Sequence, residues 1–431
     1  MPQTGNYRNA GNCRIGAAIA RAYDQEVKLS RRQALAAIGG GSVSLLLAEL
    51  ARAYPAALLV SEQTAAAVTA LPTPPGARFI RTMPLGRLDR RPAPPYHQLL
   101  GSGLDARLFT DLSGLDADHL VTPTERFYIR SAAAPALPAA ASWQLTLGGL
   151  VREERTLTAE ALRRDSDARG VHLMECAGNA DPANFGLLSA ATWSGVPIAA
   201  VLDRVQPSGG RRRIRVVGFD DEQTPSQTST PGASWIFTRD ELEQAGAFLA
   251  TAMNGQPLTR DHGAPVRLLV PNYYGCSNIK WVTRIDVVAD DEPATLQMQE
   301  FSARTHQDGR PRVARDYAPP VIELAATPTR VEQWMEPDGR GGERPLYRIV
   351  GLRWGGSTKR TPLTIRFKHS EPFVPVEHAP DRDSVTTWAL WSHTWRPDSP
   401  GRYQVALSVA DKAIRARRLD IFYYTRDVEI A

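Results

Sequence analysis

Two cysteines remain in this 431-residue chain once its N-terminal 53 residues are set aside, and a thiol is a group that can do chemistry. Cys176 lies in the run VHLMECAGN at 171–179, and Cys276 lies a hundred residues further on. Cysteines this far apart do not make the framework of a disulfide-rich protein. Cys176 is a buried apolar side chain, a nucleophile or a ligand for a soft metal, and the last two roles need the thiolate. A lone thiolate ligand indicates that the metal arrives within a larger cofactor.

The N-terminal segment has the order of an export signal. The paired Arg31 and Arg32 precede an apolar stretch, and residues 51–53 read Ala-Arg-Ala, the small residues that a signal peptidase requires. We therefore expect 1–53 to be a twin-arginine signal peptide, cleaved after Ala53, and the protein to be periplasmic or otherwise exported. Because this route carries folded proteins, the signal also favours a cofactor inserted before export. The alternative is an amphipathic helix that begins with two arginines.

The composition is that of a globular protein. With 42% hydrophobic and 23% charged residues, the chain can form about two or three domains. Its net charge of +5 includes several arginines in the N-terminal segment and the short run 211–213, and no nucleic-acid-binding motif accompanies them. We therefore expect no nucleic-acid partner, whereas a mildly positive balance suits a small anionic substrate.

Four segments follow one another along the chain. After the signal peptide, residues 54–120 are rich in proline and alanine and predict an extended arm over the surface of a folded body. Residues 121–320 carry strand patterns with few helices between them. Residues 321–431 carry short alternating segments that are typical of a small β-sandwich. The fold class is therefore α+β, without the regular strand–helix alternation of a doubly wound sheet.

The strand patterns of the third segment can be placed individually. Strands are predicted at 127–130, 143–151, 213–221, 264–275 and 279–290. The last two are apolar enough to lie at the centre of a sheet. The run RTLTAEALRR at 155–164 offers a threonine N-cap followed by helix-forming residues.

Four motifs stand in the same order and at similar spacing as in a known family. They are ECAGN at 175–179, MNGQPL at 253–258, DHGAPVR at 261–267 and IKW at 279–281. Together they are specific, although each alone is weak. The region 120–320 that contains them resembles the molybdenum-cofactor domain of the sulfite oxidase family. The tail, with GLRWGG at 351–356 and the tryptophans Trp388, Trp391 and Trp395, resembles the immunoglobulin-like dimerisation domain of that family, which implies a homodimer.

The resemblance implies a site. Cys176 matches the thiolate that binds molybdenum, one metal per chain, within a molybdopterin. Arg130, which closes FYIR, matches the arginine of the anion pocket, and it forms the expected catalytic set with Cys176 and Asp220, whose carboxylate would orient basic neighbours. The residues at cofactor-contacting positions are Ser131, Asn179, Asp220, His262, Arg267, Asn278, Ile279 and Lys280.

Several of these residues have a plainer interpretation. His262 could be a turn histidine, Arg267 a surface strand residue, and Lys280 a side chain lying along Trp281. Cys276 is either a packed thiol or a group that modulates the cofactor. His172 is expected to pack beneath the site, because a strand places it on the same side as Cys176 but at a distance.

The chain also departs from the family at two places. Ser131-Ala132 replaces Asn-His and removes a pterin-side donor. Thr251 stands where sulfite oxidases have a tyrosine that organises the substrate pocket, and a threonine cannot titrate in the same way. Substrate preference is therefore open.

The expected function is oxygen-atom transfer to or from a small sulfur-containing or oxyanion substrate, as in a sulfite dehydrogenase. The sequence has no Cys-x-x-Cys-His haem attachment motif. Electrons would therefore pass to an external periplasmic carrier such as a c-type cytochrome. One alternative is a reductase of methionine sulfoxide or a similar S-oxide. The other is a non-catalytic secreted binding protein on the same fold, which Thr251 and Ser131 favour.

Overall fold

The computed structural model of the protein describes residues 71–86, 94–102, 105–131, 137–179, 185–210, 212–220, 233–360, 362–421 and 424–430. All of them belong to one compact unit, Glu62–Ala431. The predicted signal peptide and the first part of the predicted arm lie outside the described residues. Among the helices described, none is long and apolar enough to cross a membrane.

Two five-stranded sheets carry the region that precedes residue 290. The first has the order β10 (Ser234–Phe237), β9 (Arg212–Gly218), β14 (Val282–Ala289), β5 (Gln144–Gly149) and β6 (Arg155–Thr158). Its β14 and β5 are parallel, and its other pairs are antiparallel. The second has the order β12 (Gln256–Pro257), β11 (Phe248–Met253), β8 (Leu188–Pro197) and β7 (Asp167–Glu175), and β13 (Arg267–Leu269) also pairs with β11. A small sheet joins β2 (Leu100–Ser102), β3 (Asp105–Leu108) and β4 (Ile129–Arg130).

The described α-helices have five or six residues each. They are α1 (Ala159–Arg164), α2 (Ile198–Leu202), α3 (Arg239–Gln244) and α4 (Leu296–Phe301). The threonine cap predicted for α1 is confirmed, because the Ala161 N–H donates to the Thr158 hydroxyl at 3.1 Å. The fold consists mainly of β-sheets, which pack against each other through the faces of their strands. The loops at the ends of the strands are therefore available to form a site.

Not every predicted strand formed. The central position of the strand over 279–290 is confirmed by β14, whereas 264–275 supplies only the three residues of β13. The prediction of a long central strand there was wrong, because Pro265 and Pro271 flank it and proline cannot donate to a ladder. In 127–130 only Ile129–Arg130 pairs as a strand, after a 3-10 turn at Thr124–Arg126.

The remainder of the chain forms two antiparallel four-stranded sheets. One has the order β1 (Arg78–Met83), β15 (Ala325–Pro337), β16 (Glu343–Trp354) and β19 (Ala389–Trp395). The other has the order β18 (Val374–Pro375), β17 (Leu363–Arg366), β20 (Gly401–Val409) and β21 (Arg426–Ile430). Trp395 of β19 stacks on Phe367, just after β17, with ring centroids 4.2 Å apart. The strand β1, which comes from the predicted arm, is an edge strand of the first of these sheets.

One apolar core joins all four large sheets. It includes Val216 of β9, Leu188 of β8, Ile349 of β16 and Leu407 of β20, each buried. A smaller apolar cluster, which contains Phe127, Trp193 and Phe248, is the one against which Cys176 packs. The sulfur therefore rests on a rigid apolar base.

Candidate functional site

Loops at the ends of several strands enclose a cavity of about 560 Å³. Its wall includes every predicted site residue except Asn179, namely Arg130, Ser131, Cys176, Asp220, His262, Arg267, Asn278, Ile279 and Lys280. These residues come from five separate parts of the chain. A cavity of this size with convergent polar groups is what a small molecule or cofactor needs.

Cys176 begins the loop that follows β7. Its N–H donates to the Leu187 carbonyl at 3.0 Å, and the Asn179 N–H donates to the Cys176 carbonyl at 2.8 Å, which closes a tight turn. The Gly178 N–H points at the sulfur, 3.4 Å away. Burial raises the pKa of the Cys176 thiol, while this N–H and the guanidinium groups of Arg130 and Arg304 act in the opposite direction. The thiol is half-buried, on the cavity wall, and has cationic groups around it.

Glu175, directly before the cysteine, anchors this turn from behind. Its fully buried carboxylate accepts two bonds from Arg417, from Nη1 at 2.8 Å and from Nη2 at 2.6 Å. Trp354 Nε1 donates to it at 2.9 Å, and Asn179 Nδ2 at 3.0 Å. Burial alone would lower the pKa of Arg417, but Glu175 and Tyr274 outweigh it, and the pKa is well above its ordinary value. The turn that carries Cys176 is thus fixed to Trp354 of β16 and to Arg417, which lies between β20 and β21.

Asn179 is a correction to the predicted site. Besides its bond to Glu175, its Oδ1 accepts the Leu187 N–H at 3.0 Å. The amide is therefore used in holding the turn, and the structure does not bring it to the cavity wall. Asn278 does line the cavity, but its side-chain amide is also hydrogen-bonded to the backbone. Its Oδ1 accepts from the Val270 N–H, and its Nδ2 donates to the carbonyls of Tyr273 and Tyr274.

Arg267 is a buried cation of the cavity wall. Its Nη1 donates to the His262 carbonyl at 3.0 Å and its Nη2 to the Asn278 carbonyl at 3.2 Å. Its Nε has no hydrogen-bond partner among the described residues. Burial lowers the pKa of Arg267 to about 10, so the group stays charged at neutral pH. The predicted surface-strand alternative is excluded by its 5% exposure.

His262 cannot supply the positive charge that its position suggested. Its Nδ1 lies 2.7 Å from the Thr259 hydroxyl, and its Nε2 lies 3.2 Å from the Phe127 carbonyl, which only accepts, so Nε2 carries the hydrogen. Burial lowers the pKa of His262 to about 4, with the nearby Arg267 and Lys280 acting in the same direction. The ring is neutral at pH 7 and braces the loop that positions Arg267.

Lys280 is held by several oxygen atoms. Its Nζ donates to the Ser131 hydroxyl, to the Asp261 carbonyl at 3.1 Å and to the Arg130 carbonyl at 3.4 Å, and it lies 4.5 Å from the Trp281 ring centre. Burial and the neighbouring Arg267 lower its pKa to about 7, while Asp220 and Asp261 favour the charged form. Asp220 is thus close enough to favour the charged form of Lys280, whereas its predicted orienting role stays a prediction.

The wall also includes residues that the sequence analysis did not assign to the site. Among them are Tyr128, Asp261, Gln297, Glu300, Phe301 and Arg304. An added carbon on Gly275 would lie 2.9 Å from the Tyr128 hydroxyl, so glycine is needed there for the phenol to approach the Cys176 turn. Burial raises the pKa of Tyr128 well above its ordinary value, so the phenol keeps its proton. Only its place in FYIR, beside Arg130, could have suggested it.

Three other residues that the sequence singled out can be compared with the structure. Cys276 is buried, as a packed thiol would be, yet it also lies on the cavity wall, so both interpretations remain. His172 lies on β7 and is bonded to Thr386 at 3.1 Å and to the Arg169 carbonyl at 2.8 Å. Thr251 is buried, and its hydroxyl is 2.8 Å from that of Ser166. Thr251 is not one of the described residues that line the cavity.

Comparison with known proteins agrees with this geometry. The oxidoreductase molybdopterin-binding domain matches residues 132–296. Mitochondrial sulfite oxidase of Macaca fascicularis is 31% identical over 173 residues, 40% of this chain and 31% of that protein. The catalytic subunit MsrP of a protein-methionine-sulfoxide reductase from Ralstonia nicotianae is 28% identical over 158 residues, 36% of this chain and 45% of that protein. The sulfane dehydrogenase SoxCD from Paracoccus pantotrophus has the same fold, with a TM-score of 0.56 at 18% identity over 77% of this chain and 89% of that one.

Residues 132–296 therefore match a molybdopterin-binding domain of the oxidoreductase type. Within that match, the relatives that this chain resembles include sulfite oxidases. The aligned part spans 31% of the macaque enzyme and 45% of the reductase subunit, so it represents less than half of either relative.

The residues of the cavity fit a molybdopterin. Cys176 offers a soft sulfur donor on the wall, and the described residues contain no cluster of three or more His, Cys, Asp or Glu side chains that could hold a metal by themselves. Arg267 presents a buried Nε without a partner among the described residues, which is the type of donor that the phosphate of a pterin tail requires. A metal that arrives within a cofactor suits this donor set.

Proposed function

We propose that the protein is a molybdenum-cofactor oxidoreductase that transfers an oxygen atom to or from a small sulfur-containing or oxyanion substrate, as a sulfite dehydrogenase does. The observation that carries the proposal is the position of Cys176, whose sulfur lies on the wall of a cavity that also receives Arg130, Arg267 and Lys280. The macaque relative supports the substrate class by its name.

The parts of the cavity would hold different parts of the cofactor. Cys176 would bind the single molybdenum, and Arg267 and Lys280 would bind the phosphate of the pterin tail. The side-chain amide of Asn278 is engaged with backbone groups, so this residue and Ile279 would contribute through the backbone. When bound, the metal supplies two-electron redox chemistry coupled to oxygen-atom transfer.

The chain's own groups would prepare the substrate. Arg130 offers planar paired donors to an oxyanion at the same wall as the thiol. Tyr128 keeps its proton and can donate a hydrogen bond into the cavity.

Cys176→Ser tests the proposal, with Cys276→Ser as the matched control on the same wall. Both variants and the parent protein would be purified from molybdenum-replete cells. We expect one molybdenum per chain in the parent, near-complete loss of sulfite oxidation with at most partial loss of metal in Cys176→Ser, and retention of both in Cys276→Ser. Equal metal and equal activity in the parent protein and Cys176→Ser would end the proposal.

A second candidate, reduction of an S-oxide, is favoured by the similarity to the methionine-sulfoxide reductase subunit. The two directions can be separated with one loaded preparation. Sulfite with ferricyanide tests oxidation, and methionine sulfoxide with reduced viologen tests reduction. Turnover only with the sulfoxide would replace the first candidate by the second.

Export, partner and assembly are further parts of the proposal. The twin-arginine pattern supports export, and Arg31→Lys with Arg32→Lys should leave the protein in the cytoplasm with its first 53 residues attached.

A periplasmic cytochrome is the proposed electron acceptor, and reduction of a c-type cytochrome during turnover would test it. The two C-terminal four-stranded sheets, joined by the Trp395–Phe367 stack, support an immunoglobulin-like sandwich, and light scattering would show whether it forms a homodimer.

A further inference from the structure

Arg304 approaches the cysteine from a part of the chain that no family motif covers. It lies in the 3-10 segment Ser302–Thr305 that follows α4, and it lines the same cavity as Cys176. An added carbon on Gly178 would be 3.6 Å from Arg304 Nη1 and 3.8 Å from the Cys176 sulfur. The guanidinium nitrogen and the sulfur therefore both lie within 4 Å of one point beside Gly178, which a glycine leaves open.

The charge of Arg304 is not neutralised within the described part of the chain. No hydrogen bond or ion pair of its guanidinium is formed among the described residues, and its ring contact is with Phe301, 5.5 Å from the ring centre. The side chain is exposed. Arg304 and Arg130 both line the cavity wall that carries the Cys176 sulfur.

We propose that Arg304 is an anion-recruiting residue that, with Arg130, selects negatively charged substrates over neutral ones at the Cys176 end of the cavity. The assignment of a substrate class rests on the proposed function, but the attraction of an anion to this position is a property of the chain itself. A guanidinium that is exposed and unpaired keeps its donors available for an incoming oxyanion.

Glu300, on the same wall, has the opposite charge and provides an internal test. It is half-buried, and no ion pair joins it to Arg304 within the described residues. Its carboxylate should repel the anions that Arg304 attracts. Removing each charge in turn must therefore change anion selectivity in opposite directions.

The test uses the thiol as a reporter and does not need the cofactor. Full-length protein purified without cofactor is treated with iodoacetate, which is an anion, or with iodoacetamide, which is neutral and has the same reacting carbon. In both reactions the Cys176 thiolate displaces iodide and forms a thioether, and mass spectrometry of the Cys176 peptide gives the rate. Because both reagents need the same thiolate, the ratio of the two rates does not depend on how much thiolate is present.

Arg304→Met should lower the ratio of iodoacetate to iodoacetamide rates about fivefold at low salt, and Glu300→Gln should raise it. The change should largely disappear at 1 M salt, where the screening length is about 3 Å. Arg310→Met, an exposed arginine off the cavity wall, is the control of equal charge change. An unchanged ratio in Arg304→Met, or the same decrease in Arg310→Met, would overturn the inference.

Kinetics of the loaded enzyme separate this inference from the proposed function. Arg304→Met should raise KM for sulfite while kcat changes little, because binding and not chemistry is affected. If the parent protein does not turn over sulfite but the alkylation ratio changes as expected, the function fails and the anion site remains. If sulfite turns over and the ratio does not change, the function remains and the role of Arg304 is refuted.

Discussion

Replacing Arg417 with methionine should be among the most damaging single substitutions in this protein. The guanidinium of Arg417 is 10% exposed and makes a bidentate ion pair with Glu175, which is fully buried beside Cys176. Methionine has a similar length and no charge. The carboxylate would then keep only its bonds from Trp354 and Asn179.

The magnitude follows from the burial of the partner that remains. Removal of one member of a buried ion pair leaves an uncompensated charge and costs about 3–5 kcal/mol. Trp354 and Asn179 still donate hydrogen bonds to the Glu175 carboxylate and stabilise its charge. We therefore expect the free energy of unfolding to fall by about 3 kcal/mol, at the lower end of that range. Glu175→Gln combined with Arg417→Met removes both charges and should recover part of this loss.

Urea unfolding of the purified protein measures the change, and molybdenum content measures its effect on the cysteine turn. Arg418→Met is the matched control, because this neighbour pairs with Asp420 at the surface and is 73% exposed. We expect the control to change stability by less than about 1 kcal/mol. The metal content should fall in Arg417→Met and stay unchanged in the control.

Equal stability of the Arg417→Met and Arg418→Met proteins would refute the reasoning. So would a double variant with Glu175→Gln that is no more stable than Arg417→Met alone. In either case the carboxylate would not be held as a buried charge by this arginine.

Three further predictions concern the cavity wall. Burial lowers the pKa of Lys280 from 10.5 to about 7. Between pH 7 and pH 10.5 the folded protein therefore binds fewer protons than the unfolded chain, so its free energy of unfolding rises with pH. Lys280→Met should remove this rise, as measured by urea unfolding at pH 6.5 and pH 9. Burial lowers the pKa of His262 from 6.5 to about 4, so its contribution to stability is lost as the pH falls through this window. His262→Gln should reduce the loss between pH 7 and pH 5 by about 2 kcal/mol, whereas the same change at the exposed His369 should not. Gly275→Ala places a carbon 2.9 Å from the Tyr128 hydroxyl and 3.1 Å from the Glu175 carbonyl. This crowding should lower the free energy of unfolding by about 1–3 kcal/mol, as measured by thermal or urea unfolding. Adding Tyr128→Phe should restore part of the lost stability, and no recovery would contradict the contact.

The local part of the site was accessible from the sequence. ECAGN predicts a cysteine at a tight turn, and the bonds from the Asn179 N–H to the Cys176 carbonyl and from the Gly178 N–H to the sulfur form that turn. The strand β14 and the cap of α1 follow from periodicity and from a single threonine. Each of these features depends on residues that are close in the chain.

The parts that sequence reasoning missed depend on distant contacts. Nothing in LQMQEFSARTH marks Arg304, because its importance comes from where α4 ends in space relative to Gly178. The neutral state of His262 depends on burial beneath Phe127, which no spacing reveals. The sequence does not distinguish a structural role of Asn179 from cofactor binding. The distinction depends on the hydrogen bonds of its side-chain amide to the Glu175 carboxylate and to the Leu187 N–H.

The ion pair between Glu175 and Arg417 joins residues that are 242 positions apart. During translation, the thiol emerges from the ribosome long before its distant anchor does. A maturation factor that met the nascent polypeptide at that moment would find a loose loop with an unmatched acidic group. We therefore expect the turn that carries Cys176 to reach its folded form only after Arg417 has been made and has docked.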